Sequence, residues 1–328
     1  MSCIIDYITY YYYILSKQNY NNIKNHNNKK KDYANNKSYD SPRLEIDNTY
    51  DLLFTLFNNS APKLNIVLHE VYNNGININN KNSSNIFLYN NKVYKINRLY
   101  NIKKYLNIIH TIRNYKIQNV IIPEEIYYNK LQNEYVQIYE YYSNGDLFDY
   151  FINTKLNCNN ILHLYKLIIN IISNLHKNYI AHRDLKLENF LIYNKNNELH
   201  IILIDLDFCI FFNNNDNFSG GTLQYASYEI INNININNWY SVDIWSLCIV
   251  LYILLFKEFP WYSSNSREET FISYINDYKS TYWYDKVNTL ELEETHKVVY
   301  SKIFDYGFNL NVDERNDITY IENLLNTL

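Results

Sequence analysis

Apolar residues recur at helical spacing in three stretches of the chain. Ile102, Leu106, Ile109 and Ile112 form one face, and Leu164, Leu167, Ile168, Ile171 and Leu175 form another within Ile161–Lys177. Ile244–Phe256 is apolar on nearly every face, which predicts a helix buried in a core; its thirteen residues are too few to cross a bilayer. Shorter runs rich in β-branched and aromatic residues predict strands at Leu64–Val71, Ile86–Ile96, Ile117–Ile122, Tyr135–Tyr142 and Leu199–Asp205. Residues 262–312 read as helices joined by polar loops. At the N-terminus, 1–15 is a short apolar element broken by Asp6, without the basic flank of a signal peptide, and it is expected to pack on protein. Asn, Lys and Tyr then dominate to about Asp40 with almost no aliphatics, so 16–59 reads as a polar tether and lead-in.

Composition narrows the picture. The 328 residues carry a net charge of only -4 and no long charged block, which argues against nucleic acid or anionic lipid as the main partner. Cys3, Cys158, Cys209 and Cys248 are far apart and lack metal-ligand spacing, so reduced thiols and an intracellular, cytoplasmic setting are expected. With five glycines against abundant Asn, Tyr, Ile and Lys, chemistry has to be read from positions rather than from enrichment.

The densest chemistry lies in Ile180-Ala181-His182-Arg183-Asp184-Leu185-Lys186-Leu187-Glu188-Asn189. Asp184 can accept a hydroxyl proton, Lys186 can sit against a phosphoryl group, and Asn189 can reach a divalent cation, which are the parts of phosphoryl transfer. This string resembles the catalytic loop H-R-D-L-x-x-x-N of eukaryotic protein kinases, and Lys186 resembles their serine/threonine branch. Further matches follow in order. Val93-Tyr94-Lys95-Ile96 resembles the V-A-I-K strand, Asp205-Leu206-Asp207 stands where D-F-G is found, and Gly221–Glu229 resembles G-T-x-x-Y-x-A-P-E. Tyr240–Val250 resembles D-x-W-S-x-G, with Cys248 in place of the glycine.

The resemblance covers roughly Leu64–Leu324 and implies an α+β, two-lobed fold: a mainly β small lobe at 60–142 and a mainly α large lobe at 143–328. It implies transfer from ATP, with Mg2+ or Mn2+, to serine or threonine hydroxyls of protein substrates. Asp184, Lys186, Asn189 and Thr222 would be catalytic, and Asn189 and Asp205 would hold metal. Lys95, Phe87, Val93, Glu140, Tyr142, Asp146 and Leu191 would line the nucleotide site, with Tyr139 as the bulky residue before the hinge. Phe87 would cover the adenine. Glu188 and Asp146 correspond to positions that meet basic residues near the target in basophilic relatives, although Asp146 is equally suited to cap a helix. Asp243 would anchor the catalytic loop, and Glu229 would pair with Arg315.

Three departures set expectations of their own. No G-x-G-x-x-G loop is possible, because Gly75 is the only glycine before Gly145, and Asn80–Phe87 is its nearest counterpart. No acid lies between Lys95 and Pro123, so the helix glutamate that should hold Lys95 is absent; counting back from Ile117–Ile122 puts its position near Ile108 and leaves Glu70 as a possible substitute. Arg183 alone would receive a phosphate on Ser219 or Thr222, which favours a loop held by packing. These gaps imply slow catalysis, or a pseudokinase scaffold as the rival reading. Nothing in the sequence specifies the oligomeric state.

Overall fold

The computed structural model describes residues 70–78, 85–98, 102–129, 134–196, 198–212, 214, 220–265, 267–277 and 281–328. All of these lie within one compact unit, 53–328. The N-terminal apolar element, the tether, Asn80–Ser84 of the expected phosphate loop, and Ser219 lie outside the described residues.

A five-stranded antiparallel sheet comes first: β1 (Ile76–Asn77), β2 (Asn85–Tyr89), β3 (Lys92–Asn97), β4 (Glu125–Asn129) and β5 (Glu134–Glu140), in the order β1-β2-β3-β5-β4. Ile86–Ile96, expected as one strand, is a hairpin. Asn90 and Asn91 both take positive φ (50° and 58°), the geometry of a two-residue turn that matches strand twist. Asparagine also occupies the left-handed region at Asn119, Asn196 and Asn233, which is how a glycine-poor chain makes its tight turns. Residues 70–74 are helical, so Val71 is not on a strand, and Gly75 ends that segment with its N–H on the Val71 carbonyl.

One helix, α1 (Ile102–Asn114), separates β3 from β4 and buries Tyr105, Ile108, Ile109 and Ile112. Helices dominate thereafter. In chain order they are α2 (Leu147–Asn153), α3 (Cys158–Lys177), α4 (Tyr228–Ile231), α5 (Tyr240–Phe256), α6 (Glu269–Asp277), α7 (Tyr282–Asn288), α8 (Glu294–Gly307) and α9 (Thr319–Leu325). Two small ribbons pair β6 (Ile180–Ala181) with β9 (Ile210–Phe211), and β7 (Phe190–Lys195) with β8 (Glu198–Leu203). The fold is therefore α+β, with the sheet and α1 preceding a mainly helical part.

The central helices behave as their patterns predict. α5 is buried from Ser241 to Leu255, which explains why it has no polar face. α3 starts three residues before the predicted Ile161, because Asn157 and Asn160 form a reciprocal capping box. Where relatives of this pattern carry glycine, Cys248 is accommodated by Gly307 on α8. A Cβ built on Gly307 would lie 2.0 Å from the Cys248 Sγ. No helix among the described residues is long and apolar enough to cross a membrane.

Candidate active site

The catalytic loop is held from beneath by α5. Asp243 accepts the backbone N–H groups of His182 (2.8 Å) and Arg183 (2.7 Å), and His176 of α3 lies 2.9 Å from the same carboxylate. Arg183 takes a positive φ of 70°, and Asp205 one of 66°, so backbone strain collects at this site. The Arg183 Nε donates to the Phe208 carbonyl at 2.7 Å and its guanidinium stacks on Trp239, which ties the segment after Asp205 to the loop by packing.

Asp184 is the centre of the loop. Lys186 Nζ donates to its Oδ2 at 2.7 Å and to Thr222 Oγ1 at 2.9 Å, while the Thr222 N–H and hydroxyl both donate to Oδ1 at 3.0 Å. Burial by itself would lower the Lys186 ammonium, but the charge and hydrogen bond of Asp184 together with the charges of Glu188 and Asp205 outweigh it and raise the group above its ordinary value. Gly221, at φ 99°, brings the backbone close to Arg183 and Asp184, where a side chain would be strained.

Asn189 is buried, and its Nδ2 donates to the Asp184 carbonyl at 2.7 Å. The nitrogen being spent, Oδ1 is the atom left for a cation. The Ile204 N–H donates to the Asn189 carbonyl at 2.9 Å, so Asp205 leaves the strand end one residue from that contact. Asp207 adds a buried Oδ1 with no hydrogen-bond partner. These hard oxygens fit Mg2+, which takes one or two protein ligands together with phosphate oxygens. Among the described residues no group of three or more His, Cys, Asp or Glu could hold a metal unaided.

Lys95 lies in this cleft and corrects the sequence expectation. Its partner is not Glu70, which accepts from the Tyr89 hydroxyl instead. Lys95 Nζ is 2.8 Å from both Asp205 Oδ1 and Asp207 Oδ2. Burial opposes its charge, yet the two carboxylates outweigh burial and raise the ammonium above its ordinary value. Asp205 is lowered by Lys95 against the effect of burial, and Asp207 is raised by burial with its neighbour's charge adding to it. The residue that α1 turns toward this cluster is Tyr105 rather than Ile108, which is packed in the large apolar core.

Strand register places the nucleotide candidates. Val93 is opposite Tyr139, and Lys95 opposite Gln137, so all four share one face. Phe87 is opposite Tyr94 and packs with Val71, Tyr94, Ile96, Val136 and Ile138 on the other face. Phe87 therefore points away from Lys95 and does not cover the adenine site. Ile86, opposite Lys95, and Leu88, opposite Val93, are the apolar β2 residues on the Lys95 face. Glu140 ends β5, Tyr142 follows with its hydroxyl on the Glu140 carboxylate (3.2 Å), and Leu191 of β7 bridges to Asp146. Asp146 caps α2 through the Asp149 N–H at 2.8 Å, and burial pushes its carboxyl up to about 6. Tyr225 reaches Glu188 at 3.5 Å.

Deeper in the large lobe, Glu229 and Arg315 form a fully buried ion pair across the chain. Residues 77–324 match the family model described as the protein kinase domain. The chain belongs to that family. This kinase domain is 30% identical over 214 residues to an SNF1-related protein kinase catalytic subunit alpha, KIN12, of Arabidopsis thaliana, covering 64% of the chain and 40% of the relative. It is 32% identical over 157 residues to the serine/threonine-protein kinase cds1 of Schizosaccharomyces pombe, covering 45% and 33%. With the calcium-dependent protein kinase 3 of Plasmodium berghei it shares 26% identity over 231 residues, covering 68% and 40%. The kinase domain thus spans only a third to two-fifths of the length of these relatives. The fold is the two-lobed protein kinase fold.

Proposed function

We propose that this chain transfers the γ-phosphoryl group of ATP to serine or threonine hydroxyls of protein substrates. The observation that carries the proposal is the closed arrangement of Asp184 and Lys186 of one loop with Thr222, 36 residues beyond Lys186, the three side chains sharing hydrogen bonds of 2.7–3.0 Å. In this reading 60–142 is the small lobe and 143–328 the large lobe. Asp184 orients the incoming hydroxyl and takes its proton. Lys186 neutralises charge on the moving phosphoryl group, and Lys95 neutralises the α- and β-phosphates. A bound Mg2+ or Mn2+ supplies charge neutralisation at the phosphate oxygens, and Asn189 and Asp205 are the residues that would hold it. Val93, Leu191 and the backbone of Glu140 and Tyr142 enclose the adenine. Asp146 and Glu188 supply negative charge where a basic residue of the substrate would lie.

A binding scaffold without catalysis is the competing reading, favoured by the lack of any acid on α1. Incubation with ATP, Mg2+ or Mn2+ and a generic basic protein separates the two. Phosphoserine or phosphothreonine is expected from the wild type and not from Asp184→Asn. Equal incorporation in both proteins would assign the signal to a contaminant, and nucleotide binding without transfer in either would support the scaffold.

A further inference from the structure

In the phosphoryl-transfer reading Lys95 needs an anion that keeps its ammonium aimed at the phosphates. Asp205, 2.8 Å from Lys95, is also the residue that would hold the cation, so a carboxylate without that duty would be the better anchor. α1 carries no acid, so its side of the cleft supplies none. The second carboxylate in the structure is Asp207, 2.8 Å from Lys95 and two residues beyond Asp205.

Asp207 is itself oriented. Its Oδ2 accepts from Asn97 Nδ2 at 2.8 Å. A carboxylate can only accept, so the Asn97 amide must turn its Oδ1 the other way, where it accepts from Gln137 Nε2 at 2.9 Å. Gln137 is then left with Oε1, which both the Tyr105 and Tyr139 hydroxyls reach, and these hydroxyls lie 2.9 Å apart. Every donor in the chain points toward Asp207. Tyr105 is on α1, Gln137 and Tyr139 are on β5, and Asn97 is on β3. The helix that lacks a glutamate is thus connected to Lys95 through neutral groups that end in a carboxylate.

We propose that Asp207 is the positioning residue for Lys95, doing from the loop after Asp205 the work that a helix carboxylate would otherwise do, with Asn97, Gln137 and Tyr105 holding it in place. This inference rests on the phosphoryl-transfer reading above. It accounts for two departures at once, since the acid missing from α1 and the acid replacing a glycine after Asp205 are one relocated charge. The buried Oδ1 of Asp207 leaves a rival role as a metal ligand, which the test separates.

The test compares ATP affinity by calorimetry, with and without Mg2+, and initial transfer rates, in wild type, Asp207→Asn, Asp207→Gly, Asp184→Asn, and Asp207→Gly combined with Tyr105→Glu. Asp207→Asn keeps the shape and removes the charge. It is expected to weaken ATP on the order of tenfold whether or not Mg2+ is present, the size of one charge-assisted hydrogen bond. Peptide KM should stay unchanged. Asp207→Gly should behave alike, and adding Tyr105→Glu should recover most of the loss by returning the anion to α1. Affinity within twofold of wild type for Asp207→Asn would overturn the proposal. So would a loss seen only with Mg2+, which would assign Asp207 to the cation. Asp184→Asn should abolish transfer and keep affinity; transfer at the wild-type rate in that variant would overturn the phosphoryl-transfer reading and leave the affinity result standing.

Discussion

Replacing Arg315 with Met should be strongly destabilising although the residue lies outside the cleft. Both side chains of the Glu229–Arg315 pair have no solvent exposure, and the guanidinium also stacks on Trp245 at 4.9 Å. Only Arg315 Nη2 meets the carboxylate; Nε and Nη1 have no partner among the described residues. The Ser241 hydroxyl, 3.4 Å from Glu229, is too weak a donor to stand in for a cation. Removing Arg315 therefore strands a buried charge, at a cost of about 3–5 kcal/mol. For a domain of this size that corresponds to a fall in Tm of roughly 6–20 °C. Removing both charges in Glu229→Gln with Arg315→Met should recover at least half of the lost stability, because the remaining groups need no counter-ion. Scanning calorimetry on the four proteins of this cycle reads all of these effects. A fall of less than about 2 °C for Arg315→Met, or a double variant no more stable than the single one, would refute the reasoning.

Gly307→Ala should destabilise the protein by about 1–3 kcal/mol, since its methyl would collide with Cys248 Sγ. Cys248→Gly should suppress that loss in a thermal melt, and failure to do so would place the strain elsewhere. Asp146 is raised from 3.8 to about 6 by burial, so its native-state contribution to stability grows as pH falls through about 6 and is lost as pH rises. Binding of a basic peptide needs the ionised form, so peptide KM should fall as pH rises through about 6, and Asp146→Asn should flatten that profile. Phe87→Ala should cost about 3–5 kcal/mol of stability with ATP KM unchanged, whereas Leu88→Ala should raise ATP KM; the reverse pattern would contradict the strand register.

Much of the large lobe was legible because its chemistry is local. Asp184, Lys186 and Asn189 sit within six residues on one loop, and α5 declares itself by being apolar all round. The Glu229 and Arg315 pairing was legible at long range for a different reason: a buried charge demands an opposite one, and the resemblance puts Arg315 where that partner stands. The small lobe was harder to read. Its strand signals are short, and the Asn90-Asn91 turn was hidden in a chain where asparagine is everywhere. Missing that turn left the parity of Phe87 and Leu88 undetermined, and a one-residue shift exchanges the faces of a strand.

What the amino-acid order alone determined is the inventory: which acids, cations and amides are available, and that α1 has no acid to give. Where the missing charge went could be decided only in three dimensions. Asp207 is 112 residues from Lys95 in sequence, and only folding brings them to 2.8 Å. The phenols and amides that orient Asp207 come from β3 itself and from two further elements, β5 and α1, whose spacing carries no motif. Hydrogen bonds act over a few ångströms in space and are blind to separation along the chain, so the partner of Lys95 was set by packing.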